Sequence, residues 1–243
     1  MLVERPPTIV CLLMRCCIAI APEYHGVICR SALAIGALCT RVSAGGRKTA
    51  FLKVQVQIWE TLFKHLAADA DNEYAMIDST IVRAHQHSAG AQKKRGKTRP
   101  SDAALKMQVP IKGGLSTKIN ATVDALGNPT GFTLTPGQAC DLDGADVLLP
   151  LIEARTVIAD KGYDADERVI LPLTQAGKTV IIPPKRNRKV QREYDRDIYK
   201  SRHLIENFFC KLKQFRAIAT RYDKTARNFL AAIHLASATI WLN

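Results

Sequence analysis

Two aspartates and one helical stripe carry the residue types that metal-assisted chemistry needs. Asp78 lies in the middle of Tyr74–Val82, YAMIDSTIV, a β-rich run long enough for a core strand. By strand alternation it shares a face with Tyr74, Met76, Thr80 and Val82. A buried carboxylate is costly unless it is hydrogen-bonded or bound to a cation. Asp160 closes the short apolar run Thr156–Ala159 and is followed by Lys161-Gly162-Tyr163. In open α/β sheets, ligands collect at such carboxyl ends of strands. Tyr199, Arg202, Glu206 and Lys213 fall within roughly 60° of one another on a helix turning ~100° per residue. Each feature also has an ordinary reading. Asp78 could bond a Ser or Thr, Asp160 could cap a turn, and the stripe could be surface pairs worth ~0.2–0.5 kcal/mol each.

The elements that must position these residues follow from pattern. Ile58, Leu62, Phe63 and Leu66 recur at helical spacing, and Tyr74–Val82 is the first strand. Thr117–Val123 and Gly131–Leu134 bracket the turn-rich Asp124–Pro129 and read as a hairpin. A helix is expected over Asp141–Ile152 and a buried strand over Thr156–Ala159. Asp164 is placed to cap a helix running to Gln175 and ended by Gly177, before a strand at Thr179–Ile182. Asp195 or Asp197 then opens a long helix to about Arg216, with Ile198, Ile205, Phe208, Phe209, Leu212 and Phe215 on its apolar face. A last helix spans about Thr225–Leu242. This order predicts an α/β fold with a mixed sheet and helices on its faces.

Composition narrows the partner. With 243 residues and 47% hydrophobic content the chain can bury a sizeable core, which argues against disorder. The net charge of +13 points to a polyanion. Residues 183–224 hold 13 Lys or Arg against 5 Asp or Glu, a surplus of +8 beside the stripe, which favours phosphate binding. Lys93–Arg99, KKRGKTR, is a second basic run, equally readable as a solvated loop or a DNA contact. Of seven cysteines, Cys11, Cys16, Cys17, Cys29 and Cys39 precede residue 40 in no zinc-finger spacing, and no disulfide framework is implied. His85 and His87 form H-x-H without a third ligand nearby, so a strand-end or DNA-backbone role is favoured. Gly113–Lys118 lacks the order of a nucleotide-binding phosphate loop.

Taken together, Tyr199-x2-Arg202-x3-Glu206-x6-Lys213 resembles the Y-R-E-K signature of DDE transposases from bacterial insertion sequences, the families numbered four and five. Asp78 in YAMIDSTIVRAHQH and Asp160 in VIADKGYD resemble the first and second acidic motifs, and Gly113–Ile119, GGLSTKI, the segment opening the hairpin. The resemblance runs from about Val56 to the C-terminus. It implies an RNase H-like core in which Asp78, Asp160 and Glu206 are the catalytic, metal-binding triad. Tyr199, Arg202 and Lys213 would contact DNA. It further implies two Mg²⁺ or Mn²⁺ ions, strand cleavage and strand transfer on double-stranded DNA (transposon ends and target), a homodimer in the DNA complex, and a cytoplasmic, nucleoid-associated place. Hard carboxylate oxygens suit those ions.

Residues 1–52 do not fit that pattern. They lack periodicity and hold the cysteine cluster, so two units are expected: an atypical segment at 1–52, the product of a shifted frame or a disordered stretch, and a catalytic domain at 53–243. Thr8–Pro22 reads like a secretory leader except that Arg15 interrupts it, and it is too short to span a bilayer, so no membrane partner is expected. The alternative to an active enzyme is a transposase remnant that binds DNA non-specifically.

Overall fold

The computed structural model describes residues 48–89, 109–111, 114–188 and 191–242. Residues 1–47, with the expected frame shift, and the Lys93–Arg99 run lie outside the described residues. Helix α1 (Lys48–Ala67) runs across the point at which the sequence changes texture. Strand β1 (Tyr74–Ala84) and a short α2 (Gln86–Ala89) follow. The strands β2 (Val109–Ile111), β3 (Gly114–Val123) and β4 (Pro129–Pro136) come next, then helix α3 (Asp141–Leu148) and β5 (Thr156–Ala159). A π-helical turn (Asp166–Ile170) leads into α4 (Leu171–Gln175) and β6 (Thr179–Ile181). The C-terminal part holds α5 (Arg196–Tyr199), α6 (His203–Gln214), α7 (Arg216–Ala219), β7 (Thr220–Arg221) and α8 (Ala226–Trp241).

The described strands form one sheet in the order β2-β3-β1-β5-β6, with β4 also on β3 and β7 also on β1. The β1–β3 and β3–β4 pairs are antiparallel, whereas β1–β5 and β5–β6 are parallel. Three antiparallel strands continued by two parallel ones, with helices on both faces, make the RNase H-like mixed sheet that the sequence led us to expect. Asp124 turns the hairpin: its carboxylate accepts from the backbone N–H of Leu126 at 3.0 Å and of Asn128 at 2.7 Å. Gly127 supplies the left-handed residue, at φ 86°.

Alternation along β1 sorts two cores. Met76 and Val82 pack with Ile158 of β5 and with Ile205, Phe208, Leu212, Phe229 and Ile233 of α6 and α8. Ile77 faces the other way, onto Ala145, Leu148, Tyr163, Val169 and Leu173. Because β1 is covered on both faces, its apolar residues read as a run rather than a clean alternation. Asp78, two residues from Met76, therefore faces the α6 side.

Several helices differ from expectation. Pro150 follows α3, and the chain continues to Leu151 only as a 3-10 turn. The long C-terminal helix is tightened at Lys200–Arg202 into a 3-10 turn and broken at Phe215, whose ψ of 100° is extended. Phe215 thus leaves the apolar face and is exposed. Asp195 is the cap, accepting from Asp197 and Ile198 N–H at 2.8 and 3.0 Å. No described helix is long and apolar enough to cross a membrane.

His234 of α8 is buried and stacked on Phe63 of α1, with centroids 5.0 Å apart. Burial pushes its pKa down from 6.5 to about 4. The unfolded chain takes up the proton that the fold refuses. Stability from this group is therefore complete above about pH 6.5 and lost as pH falls toward 4. Urea denaturation should show a loss of about 3 kcal/mol across that window that is missing from His234→Leu.

Candidate active site

The acidic site starts from strand register. Ile77 of β1 pairs with Ala159 of β5, so Asp78, within β1, adjoins Asp160, which lies just past the carboxyl end of β5. Ile158 and Met76 share the core on the α6 side, and alternation turns both aspartates to that face. Asp160 is fixed locally: its Oδ1 accepts from Gly162 N–H at 2.7 Å. A Cβ at residue 162 would meet that same oxygen at 2.8 Å, so the turn needs glycine for close approach.

Asp78 is half-buried and engaged on both oxygens. Oδ1 accepts from Ser79 N–H at 2.8 Å, and Oδ2 from Arg202 Nη2 at 2.7 Å. Burial nevertheless pushes its pKa above the usual carboxylate value, with the charge of Asp160 adding to the rise against Ser79 and Arg202. Two neighbouring carboxylates thus share a partly buried setting with a single guanidinium. That is an environment suited to a cation, and its hard carboxylate donors suit Mg²⁺ or Mn²⁺.

Arg202 and Glu206 come from the far end of the chain. Ile205, Phe208, Phe209 and Leu212 are buried on one side of α6, leaving Glu206 on the edge. Arg202 Nη1 donates to Glu206 Oε1 while Nη2 holds Asp78, so one guanidinium bridges acids of β1 and α6. Among the described residues, no three acidic, histidine or cysteine side chains stand close enough together to enclose one ion. The structure thus sets Asp160 beside Asp78 and links Asp78 to Glu206 through Arg202, and it adds Tyr199, whose phenol is pushed up chiefly by burial, with Arg202 and Asp160 close enough to act on it. Lys213 does not join them. It is exposed, two helical turns or about 10 Å beyond Glu206 on the same stripe. His85 stands just past β1 with its ring stacked on Tyr222 at 4.4 Å, a strand-end setting.

Two supporting networks escaped the sequence. On the opposite face, Lys118 Nζ donates to Asp141 Oδ1 at 2.8 Å and to Ala139 O at 2.6 Å, while Ser79 Oγ donates to the same Asp141 oxygen. Tyr163 is buried beside them, its phenol pushed up by burial and by Asp78, Asp141 and Asp160. Asp164 does not cap a helix as expected. Its fully buried carboxylate accepts from Lys185 N–H (2.8 Å), Arg188 Nε (2.8 Å) and Arg192 Nη2 (2.7 Å), which ties the basic run down beside the Asp160 turn. The helix instead begins at Asp166 as a π turn, after Ala165 in extended conformation. The available sequence signal, one aspartate ahead of two arginines spaced i, i+4, is too common to have singled it out.

Two adjoining aspartates on parallel strands of a mixed sheet are faced by a helix carrying Arg202 and Glu206, the arrangement that the acidic motifs led us to look for. The family model described as the transposase DDE domain matches residues 71–241, and the chain belongs to that family: it is a DNA transposase. A Brucella ovis protein provisionally named as a transposase for insertion sequence element IS6501 is 40% identical over 129 residues, 53% of this chain and 99% of that protein. An uncharacterized Sinorhizobium fredii protein, y4sN, is 47% identical over 47 residues, 19% of this chain and 38% of its own length. A solved structure, the Mos1 strand transfer complex, is 15% identical at a TM-score of 0.33, over 85% of this chain and 67% of that one. That likeness is too slight to build on.

Asp164→Ala should free the basic run. Trypsin should cut after Lys185 and Arg186 faster than in the unaltered chain, while Lys200→Ala, which removes an exposed pair with Asp197, should leave cleavage unchanged.

Proposed function

We propose that this transposase cleaves DNA strands and joins the freed ends to target DNA at the site built by Asp78, Asp160 and Glu206. The supporting observation is the placement of Asp78 on β1 beside Asp160 just past β5, with Glu206 linked to Asp78 through a single guanidinium. In this reading all three acids hold divalent metal, Mg²⁺ or Mn²⁺, as a pair of ions. Bound there, such ions would supply activation of the attacking oxygen and stabilisation of the leaving one in an in-line displacement.

The chain's own groups do the rest. The carboxylates fix where the attacking water sits. Water attacks phosphorus, the bond to the 3′ oxygen breaks, and that oxygen leaves as a 3′-hydroxyl while the phosphate stays on the 5′ end. In the second displacement the 3′-hydroxyl attacks a target phosphodiester and displaces its 3′ oxygen, so no covalent link to the protein forms. Arg202 and Lys213 steady phosphates on either side of the cut, and Tyr199 positions the strand. Partners are double-stranded transposon ends and target, engaged by a homodimer.

Supercoiled DNA carrying the element's ends should be nicked in Mg²⁺ and not in EDTA. Asp78→Asn, Asp160→Asn and Glu206→Gln should each abolish nicking while DNA binding persists. Equal nicking with and without metal would rule the mechanism out. Lys213→Ala should weaken binding and reduce the slope of log affinity against log salt by about one.

A further inference from the structure

Arg202 is held in an unusual way. Its fork does not grip one carboxylate with both arms: Nη2 engages Asp78 and Nη1 engages Glu206, so each bond can exchange separately. Its Nε is buried with no hydrogen-bond partner, so this arrangement leaves one donor unsatisfied and a second arrangement has something to gain. The residue sits on the Lys200–Arg202 3-10 turn, a local tightening of the kind that accompanies hinges within helices. Its side chain keeps 21% of its surface exposed, a route outward.

A guanidinium bonded to both Asp78 and Glu206 stands where a cation shared by those acids would stand. Two cations cannot share that space, and like charges repel strongly at such range. We infer that Arg202 is a resident counter-ion of the acidic cluster, holding Asp78 and Glu206 until metal displaces it and a DNA phosphate receives it. This rests on the reading of Asp78, Asp160 and Glu206 as metal ligands, and goes beyond it. Metal loading and DNA binding then favour each other. Metal releases the guanidinium to phosphate, and phosphate holds it away from the acids, a coupling that must be reciprocal. A protein so built is poorly loaded with metal until DNA is present.

The test uses the full chain and Mn²⁺ alone, with free Mn²⁺ counted by electron paramagnetic resonance. Arg202→Gln should bind Mn²⁺ about tenfold tighter than the unaltered chain, whereas removing a residue that merely supports metal ligands should cost roughly 10–100-fold. A short duplex should tighten Mn²⁺ binding to the unaltered chain and leave that of Arg202→Gln unchanged. Arg202→Lys keeps the charge but cannot span both acids in the same way, so it should fall between the two, and it guards against misfolding of the glutamine variant. In EDTA, Arg202→Gln should melt below the unaltered chain, and Mn²⁺ should narrow the gap. Equal or weaker Mn²⁺ binding by both variants overturns the counter-ion. Mn²⁺ binding that Asp78→Asn leaves intact in every chain overturns instead the metal-ligand reading, and the counter-ion with it.

Discussion

A carboxylate on the central strand of a sheet creates a demand for positive charge that its neighbours in sequence cannot meet. Asp78 stands on β1 between β3 and β5, next to Asp160 on the adjoining strand, and its ionised form is disfavoured by burial. Much of the surrounding structure answers that demand. The turn after β5 aims Gly162 N–H at Asp160, and α6 is laid across the sheet with its apolar side down. That placement brings Arg202 to Asp78 across 124 positions of sequence. The apolar face of α6 is therefore also a placement device, since the packing of Ile205, Phe208 and Leu212 fixes how far the guanidinium reaches.

The same principle repeats at Asp164, which has no exposed side-chain surface and is matched by two arginines and a backbone N–H. Part of the basic surplus of residues 183–224 is thus engaged within the protein. Arg188 spans Asp164 and Asp166, and Arg192 also holds Asp164. Charge counted along a sequence overstates the charge a phosphate backbone meets, because internal pairing does not show in a count.

The features readable in sequence were those set by local periodicity. Strands β1 and β5, the hairpin around Asp124 to Pro129 and the apolar face of α6 followed from alternation, turn chemistry and helical spacing, and the motif resemblance picked out the acids. Which strands adjoin was not readable. The pairing of Ile77 with Ala159, on which the closeness of Asp78 and Asp160 depends, is a choice among partners distant in sequence. Nor was the tightening at Lys200–Arg202, since its residues are compatible with an ordinary helical turn. Asp164 was misread because aspartate before a helix is a good cap by propensity. The nearby arginines outbid the backbone for its oxygens.

The division of the acidic cluster between β1, β5 and α6 bears on the growing chain. Synthesis runs from the N-terminus, and domains gain structure as they emerge. A nascent polypeptide that has released everything through β6 owns both aspartates, but neither Glu206 nor Arg202. It also lacks α8, so the side of the sheet carrying Met76 and Ile158 stays bare. Such a chain, complete through residue 181 of 243, carries the two aspartates above an uncovered core. Glu206 and Arg202 arrive together with the helices that close the protein, so the acidic cluster is completed only as its core is covered.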